Sequence, residues 1–190
     1  MKNTLQHITQ YIAYGLLTII GLSTAANAEK LMFENFELQP ELRWSYISDQ
    51  VMGGISQGQL AFKTIKSESF AHMTGKVSTE NNGGFIQIRT SVSKGSVTAA
   101  TGVRLKVRGN SQQYYIHLRT SGTLLPWQYY QASFQVTDQW QTIEIPLTEF
   151  AASSKWLRDQ IKPNSIRSIG VVAYGRDHLA DIRVSEIGFY

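Results

Sequence analysis

The chain has 190 residues, with 18 Lys and Arg against 14 Asp and Glu and no cysteine. Without cysteine, disulfide scaffolds, thiol redox chemistry and thiolate metal sites are excluded. A formal net charge of +4 is too slight to point to nucleic acid.

The first segment has the three parts of a secretory signal. Lys2 is the only formal charge before Glu29, Tyr11–Leu22 is apolar and uncharged, and Ala26 and Ala28 close a small-residue exit in A-x-A spacing. This predicts a cleavable signal over residues 1–28, cut after Ala28, and a periplasmic or secreted product. A membrane-spanning helix needs about 20 apolar residues. This core is shorter, and Gly15 and Gly21 interrupt it. No later apolar run is long enough to span, so no transmembrane segment is expected after cleavage. Residues 29–190 then suit a single domain with its own core.

From there the chain alternates between apolar and polar residues in short runs separated by Gly, Asn, Ser and Asp, the pattern of antiparallel strands with one buried face. Strands are predicted over Lys30–Phe36, Trp44–Ile47, Gly58–Ile65, Ser69–Val77, Gly84–Thr90, Thr101–Arg108, Gln113–Thr120, Tyr129–Val136, Gln141–Pro146, Ser165–Tyr174 and Asp181–Tyr190. So many short strands predict an all-β antiparallel sandwich or jelly roll. Leu147–Lys162 lacks alternation and reads as a long connection with one helical turn, ended by Pro163 and Asn164.

Alternation also assigns faces. Val103, Leu105, Val107, Tyr114, Ile116, Leu118, Ile86 and Ile88 fall on inner rows. Arg89, Arg104, Lys106, Arg108, Tyr115, His117 and Arg119 fall on outer rows. If their strands are neighbours, these seven form a basic platform with an aromatic, suited to an acidic sugar, a phosphate-bearing group or an acidic protein. A solvated sheet face is the plainer reading. Trp127 and Tyr129 follow Pro126 in a turn-like stretch; such rings either stack on a sugar or seal the end of a sandwich.

Two loops stand out. Trp44–Ser56 carries Trp44, Asp49, Met52, Gly53, Gly54 and Ser56, and Thr79–Phe85 carries Asn81, Asn82, Gly83 and Gly84. Asparagine and glycine are what positive-φ turns require. The loops read as structural, with Asp49 stapling exposed amides and Met52 filling the core; direct ligand contact is the alternative. These loops, then the run Gly102–Asn110, then Leu118-Arg119 and Ile166–Val171, occur in an order that resembles the complex I intermediate-associated protein 30 family from about Phe33 to Tyr190. The resemblance implies a galactose-binding-like sandwich and a chaperone-like binding protein without catalytic residues. The family's best-known members act on a respiratory complex from inside mitochondria, and the signal peptide here points to another compartment.

Enzyme signatures are nearly absent. His72, His117 and His178 show no metal-ligand spacing, and no nucleophile elbow, P-loop or dinucleotide fingerprint occurs. No catalytic residue, cofactor or metal is therefore assigned. A hydrolase or lyase would require His117 or His178 to converge with two carboxylates. The acidic stretch Asp177–Asp181 is thin support for calcium. The leading expectation is a non-catalytic binding or assembly module with an envelope protein as partner. The alternative is a carbohydrate-binding module that takes an acidic or neutral glycan on its outer face.

Overall fold

The computed structural model describes residues 31–190, so the signal-peptide reading of residues 1–28 lies outside it. The strands are β1 (Phe33–Glu34), β2 (Ser45–Ser48), β3 (Gln57–Ile65), β4 (Glu68–Val77), β5 (Phe85–Ser91), β6 (Gly102–Gly109), β7 (Gln113–Thr120), β8 (Tyr130–Gln135), β9 (Gln141–Pro146), β10 (Ala151–Ala152), β11 (Ile166–Tyr174) and β12 (His178–Phe189). Among the described residues the only helical elements are short 3-10 turns.

The strands form two layers. One sheet, A, runs β3-β4-β12-β6-β9, with β1 added against the far end of β12; the other, B, runs β10-β8-β7-β11-β5-β2. Every pairing is antiparallel. The sandwich expected from alternation is the fold observed. Its inner rows interdigitate: Met73, Leu105, Val107, Ile182 and Ile187 from sheet A meet Ile86, Ile88, Ile116, Leu118 and Ile169 from sheet B, all fully buried. Each such side chain stabilises the fold by roughly 1.5–3 kcal/mol relative to exposure.

Two local features depart from the expected elements. The first strand shrinks to two residues because the chain turns at once, with Phe36 and Gln39 at positive φ. The turn is tied by Glu34, which is 7% exposed. Its carboxylate accepts from Arg43 Nε at 2.9 Å, from Trp44 Nε1 at 3.1 Å and from the Phe36 amide at 2.7 Å. Burial alone would raise the Glu34 pKa, but these bonds outweigh it and hold the group below its ordinary value. Within the long connection, the helical turn is the 3-10 turn Leu147–Glu149, and Ala151–Ala152 add the unexpected β10 to the edge of β8.

Candidate functional site

The motif loops come first, because they frame one end of sheet B. Asp49 is fully buried. Its carboxylate accepts hydrogen bonds from the amide and hydroxyl of Ser56 and from the amides of Gly84 and Phe85. Ser56 Oγ, itself buried, also accepts from the Ser78 amide at 3.0 Å. Burial would raise the Asp49 pKa, yet the four donors together pull it below its ordinary value. Asp49 thus staples the 49–56 segment to the loop that enters β5. Trp44, 3% exposed, lies in the core against Phe36, with ring centroids 5.3 Å apart. Met52 does not fill the core. It is 54% exposed beside Val51 at 72%, because the carboxylate already occupies the loop's interior.

The expected seven-residue platform does not exist. Arg104, Lys106 and Arg108 lie on β6 in sheet A, whereas Arg89, Tyr115, His117 and Arg119 lie on β5 and β7 in sheet B. The two groups face opposite sides of the sandwich. On the sheet A side, charge is compensated. Lys106 pairs with Glu68 at 2.7 Å, Arg104 lies opposite Glu144, and Asp181 takes His72 at 2.9 Å and Arg183 at 3.7 Å. Lys106 and Arg108 also cover the Trp140 ring at 5.8 and 5.1 Å. Carboxylates are thus interspersed among the cations of this face, although Arg108 Nε is buried there without a hydrogen-bond partner.

The outer face of sheet B differs in kind. Not one Asp or Glu occurs in β2, β5, β7, β8, β10 or β11. Strand register sets Gln131, His117, Gly170, Arg89 and Ser45 in one row, and Ser133, Tyr115, Val172, Gln87 and Ile47 in the next. Gly170 adds no side chain between His117 and Arg89, and the Gln87 side chain covers that position, its Oε1 3.2 Å from where a Cβ would stand. Tyr129 lies flat on His117, with ring centroids 4.0 Å apart and planes 11° from parallel. Tyr174 closes the cluster edge-on at 5.6 Å from His117 and 5.7 Å from Tyr115, and its hydroxyl is 3.2 Å from that of Tyr129. Val172 stands in an outer row yet is fully buried, with Tyr115 and Gln87 opposite it on the neighbouring strands.

Polar groups on this face are under-compensated. Arg89 forms no ion pair among the described residues, and burial and the nearby Arg119 charge both lower its pKa. Arg119 spends its donors on the carbonyls of Thr123 and Leu125. His117 Nε2 and Gln131 Oε1 are buried without a hydrogen-bond partner. Burial pushes the His117 imidazole down to about 4, offset only in part by Gln131 alongside. The ring is therefore neutral at pH 7.

That shift has a measurable consequence. The unfolded chain protonates this histidine near pH 6.5 while the folded chain resists until about 4. The penalty is absent above pH 6.5 and grows as pH falls toward 4. His117→Gln is expected to remove on the order of 2 kcal/mol of acid sensitivity over that window. Thermal unfolding of both proteins from pH 7 to 4 checks this; parallel profiles would show that the ring is not desolvated.

The two candidate loop aromatics part company: Tyr129 folds back onto His117, and Trp127 stays 61% exposed on the loop before β8. Tyr174 was missed in the sequence because Ile169–Ala173 reads as a continuous apolar run. Carrying the alternation of Ser168, Gly170 and Val172 one step further places it on the outer face. Neither His117 nor His178 meets a pair of carboxylates. His178 Nδ1 faces the Arg176 carbonyl at 2.8 Å, and Asp177 accepts from the Thr79 amide and hydroxyl. Asp181 lies within β12, not in a loop. Among the described residues no three His, Asp or Glu side chains are grouped to hold a metal.

Comparison with known proteins places this geometry. A sequence profile of the family described as complex I intermediate-associated protein 30 matches residues 33–182. No curated protein matches the sequence. Among solved structures, the chain is similar to the family 11 carbohydrate-binding module of Clostridium thermocellum in complex with a β-1,3-1,4-mixed-linked tetrasaccharide. The TM-score is 0.68 at 16% identity, covering 84% of this chain and 94% of that one. The family 11 module of the cellulosomal cellulase Lic26A-Cel5E of the same organism gives 0.64 at 14% identity, covering 84% and 94%. A family 30 carbohydrate-binding module gives 0.54 at 11% identity, covering 76% and 80%. At these identities the likeness is one of fold, the galactose-binding-like jelly-roll sandwich.

Proposed function

Because the chain belongs to the complex I intermediate-associated protein 30 family, we propose that it is a non-catalytic binding module of assembly-factor or chaperone type. Its place of work in this reading is the periplasm or the cell exterior, on the strength of the signal-like segment Met1–Ala28. Its binding face is the outer side of sheet B. The observation that carries this is the contrast between the two faces: sheet A intersperses carboxylates among its cations and pairs several of them, whereas sheet B presents Arg89 and Arg119 around an aromatic cluster with no carboxylate in any of its strands. Such a surface is complementary to an acidic patch on an envelope protein.

Affinity capture from envelope extracts tests it. The wild-type protein is expected to retain one partner reproducibly, and Arg89→Glu to weaken that capture at least tenfold, an order of magnitude typical of a desolvated charge contact. Arg104→Glu, on the opposite layer, is the control and leaves capture intact. Equal capture by both variants removes the face from consideration, and catalytic turnover by the purified protein removes the reading altogether.

A second reading is favoured by the rings. Tyr129, Tyr174 and Tyr115 form a cluster of rings on the same face as the half-buried Arg89 and Gln87, the mixture of aromatic surface and polar side chains that a sugar uses. The structurally similar modules are carbohydrate-binding by name. On a glycan array, Tyr174→Ala is expected to lower binding of any glycan, and Arg89→Glu only that of acidic ones.

A further inference from the structure

One end of sheet B carries a surface that the binding-face reading does not use. The β7–β8 loop, residues 121–129, exposes Leu124 at 82%, Leu125 at 43% and Trp127 at 61%. The β10–β11 connection, residues 153–165, exposes Trp156 at 81%. The two are tied together: Ser153 Oγ donates to the Trp127 carbonyl and accepts from the Tyr129 amide, each at 3.0 Å, and the Ser121 amide donates to the Ser165 carbonyl at 2.8 Å.

The apolar side chains are held out by design of the backbone. Gln128 is 6% exposed, and its Oε1 accepts from the amides of both Leu124 and Leu125. Thr123 Oγ1 accepts from the Thr120 amide and donates to its carbonyl. Arg119 donates to the carbonyls of Thr123 and Leu125. These bonds fix the loop backbone with the Leu124, Leu125 and Trp127 side chains directed to solvent. Around Trp156 stand Lys155, Arg158 and Lys162, none of them ion-paired among the described residues, with Asp159 the lone acid of the connection. Lys155 lies over the Trp156 ring at 5.6 Å. Arg158, Lys162, Thr120, Ser121 and Trp156 line a cavity of about 310 Å³ between the loops.

We propose that this end of the sandwich docks on an anionic lipid bilayer. Projecting leucine and tryptophan side chains sink into the acyl–headgroup boundary, where indole rings partition well. The flanking cations snorkel to the phosphates, and the cavity receives a headgroup. A glycan has no use for Leu124 and Leu125, and a solvated tip has no use for bracing them outward; charge complementarity selects the anionic bilayer. The proposal stands apart from the sheet B reading, since none of its exposed side chains lies on that face.

Vesicle binding by the protein, purified as the cell accumulates it, provides the test, with phosphatidylglycerol–phosphatidylcholine vesicles against phosphatidylcholine alone. Brominated acyl chains supply a readout specific to the loops. Residues 1–28 contain no tryptophan, Trp44 is buried, and Trp140 is covered by Lys106 and Arg108, so quenching reports on Trp127 and Trp156. Anionic vesicles are expected to bind and to quench. Joint Lys155→Gln, Arg158→Gln and Lys162→Gln lowers partitioning about 100-fold, at about fivefold per charge near the surface. Leu124→Ser with Trp127→Ser lowers it about tenfold or more and removes most quenching. All five positions are away from the core, so the unfolding midpoint stays put. Equal binding to neutral vesicles, binding without quenching, or a soluble acidic polysaccharide that captures the same residues would each overturn the proposal.

Discussion

Replacing Asp49 with alanine is expected to lower the thermal midpoint by about 10 °C, the largest single-residue effect outside the hydrophobic core. The carboxylate is fully buried and accepts from Ser56 N, Ser56 Oγ, Gly84 N and Phe85 N. Without it, the buried Ser56 and Gly84 amides lose their acceptor. Stranding buried donors costs about 1–3 kcal/mol each when unrelieved, and partial collapse holds the total near 3–5 kcal/mol. For a domain of this size, that is about 2–4 °C per kcal/mol. Asp49→Asn keeps one acceptor oxygen but turns an NH2 toward donors, so it falls between. The pH dependence has a fixed sign. A carboxylate held below its ordinary value stabilises the fold above pH 3.8 and loses that contribution as pH falls through its folded value. The gap between wild type and Asp49→Asn is therefore expected to narrow below about pH 4. Calorimetry across pH decides; a gap that widens in acid would mean the group is not ionised in the fold.

Gly83→Ala is expected to destabilise the protein by about 3 kcal/mol or more, in the range of overpacked cores. A Cβ at Gly83 would sit 2.4 Å from Asp49 Oδ2, and one at Gly54 would sit 2.4 Å from Asp49 Cγ. The obstructing atoms belong to a side chain held by four hydrogen bonds, so it cannot swing away. The prediction has an internal check. In the Asp49→Ala background only the Glu80 carbonyl, at 3.1 Å, still crowds that Cβ, and Gly83→Ala should cost no more than about half as much there. Additive effects in that cycle would place the strain in the backbone instead.

This cycle also marks what was and was not legible in the sequence. Asn81, Asn82, Gly83 and Gly84 were read together as a positive-φ turn. Asn81, Asn82 and Gly84 do adopt positive φ, but Gly83 is at −79°, and the requirement there is absence of bulk beside a buried carboxylate. Local composition reports torsional need; it is silent about a group 34 positions earlier pressing against the loop. The strands were legible because alternation is a local property, and so were the inner rows of Val103–Val107 and Tyr114–Leu118. Layer membership was not, because alternation says whether a residue faces in or out of the sandwich and nothing about which sheet owns it. Arg104 and Arg119 share an outward sense and stand on opposite sides of the domain. Tyr129 and Tyr174 meet only through the pairings of β7 with β8 and with β11, which no single strand's pattern encodes.

The place of β12 sets when this domain becomes a domain. It lies between β4 and β6 and carries β1 on its far end, pairing Gly188 with Phe33. Until residues 178–189 are available, β4 and β6 have no neighbour in common, and one layer of the sandwich has no middle. Contacts that join the two ends of a sequence form late and slowly. A growing chain therefore cannot close sheet A until β12 has been made, and a chain cut short before residue 178 would leave β1, β4 and β6 without the strand they share.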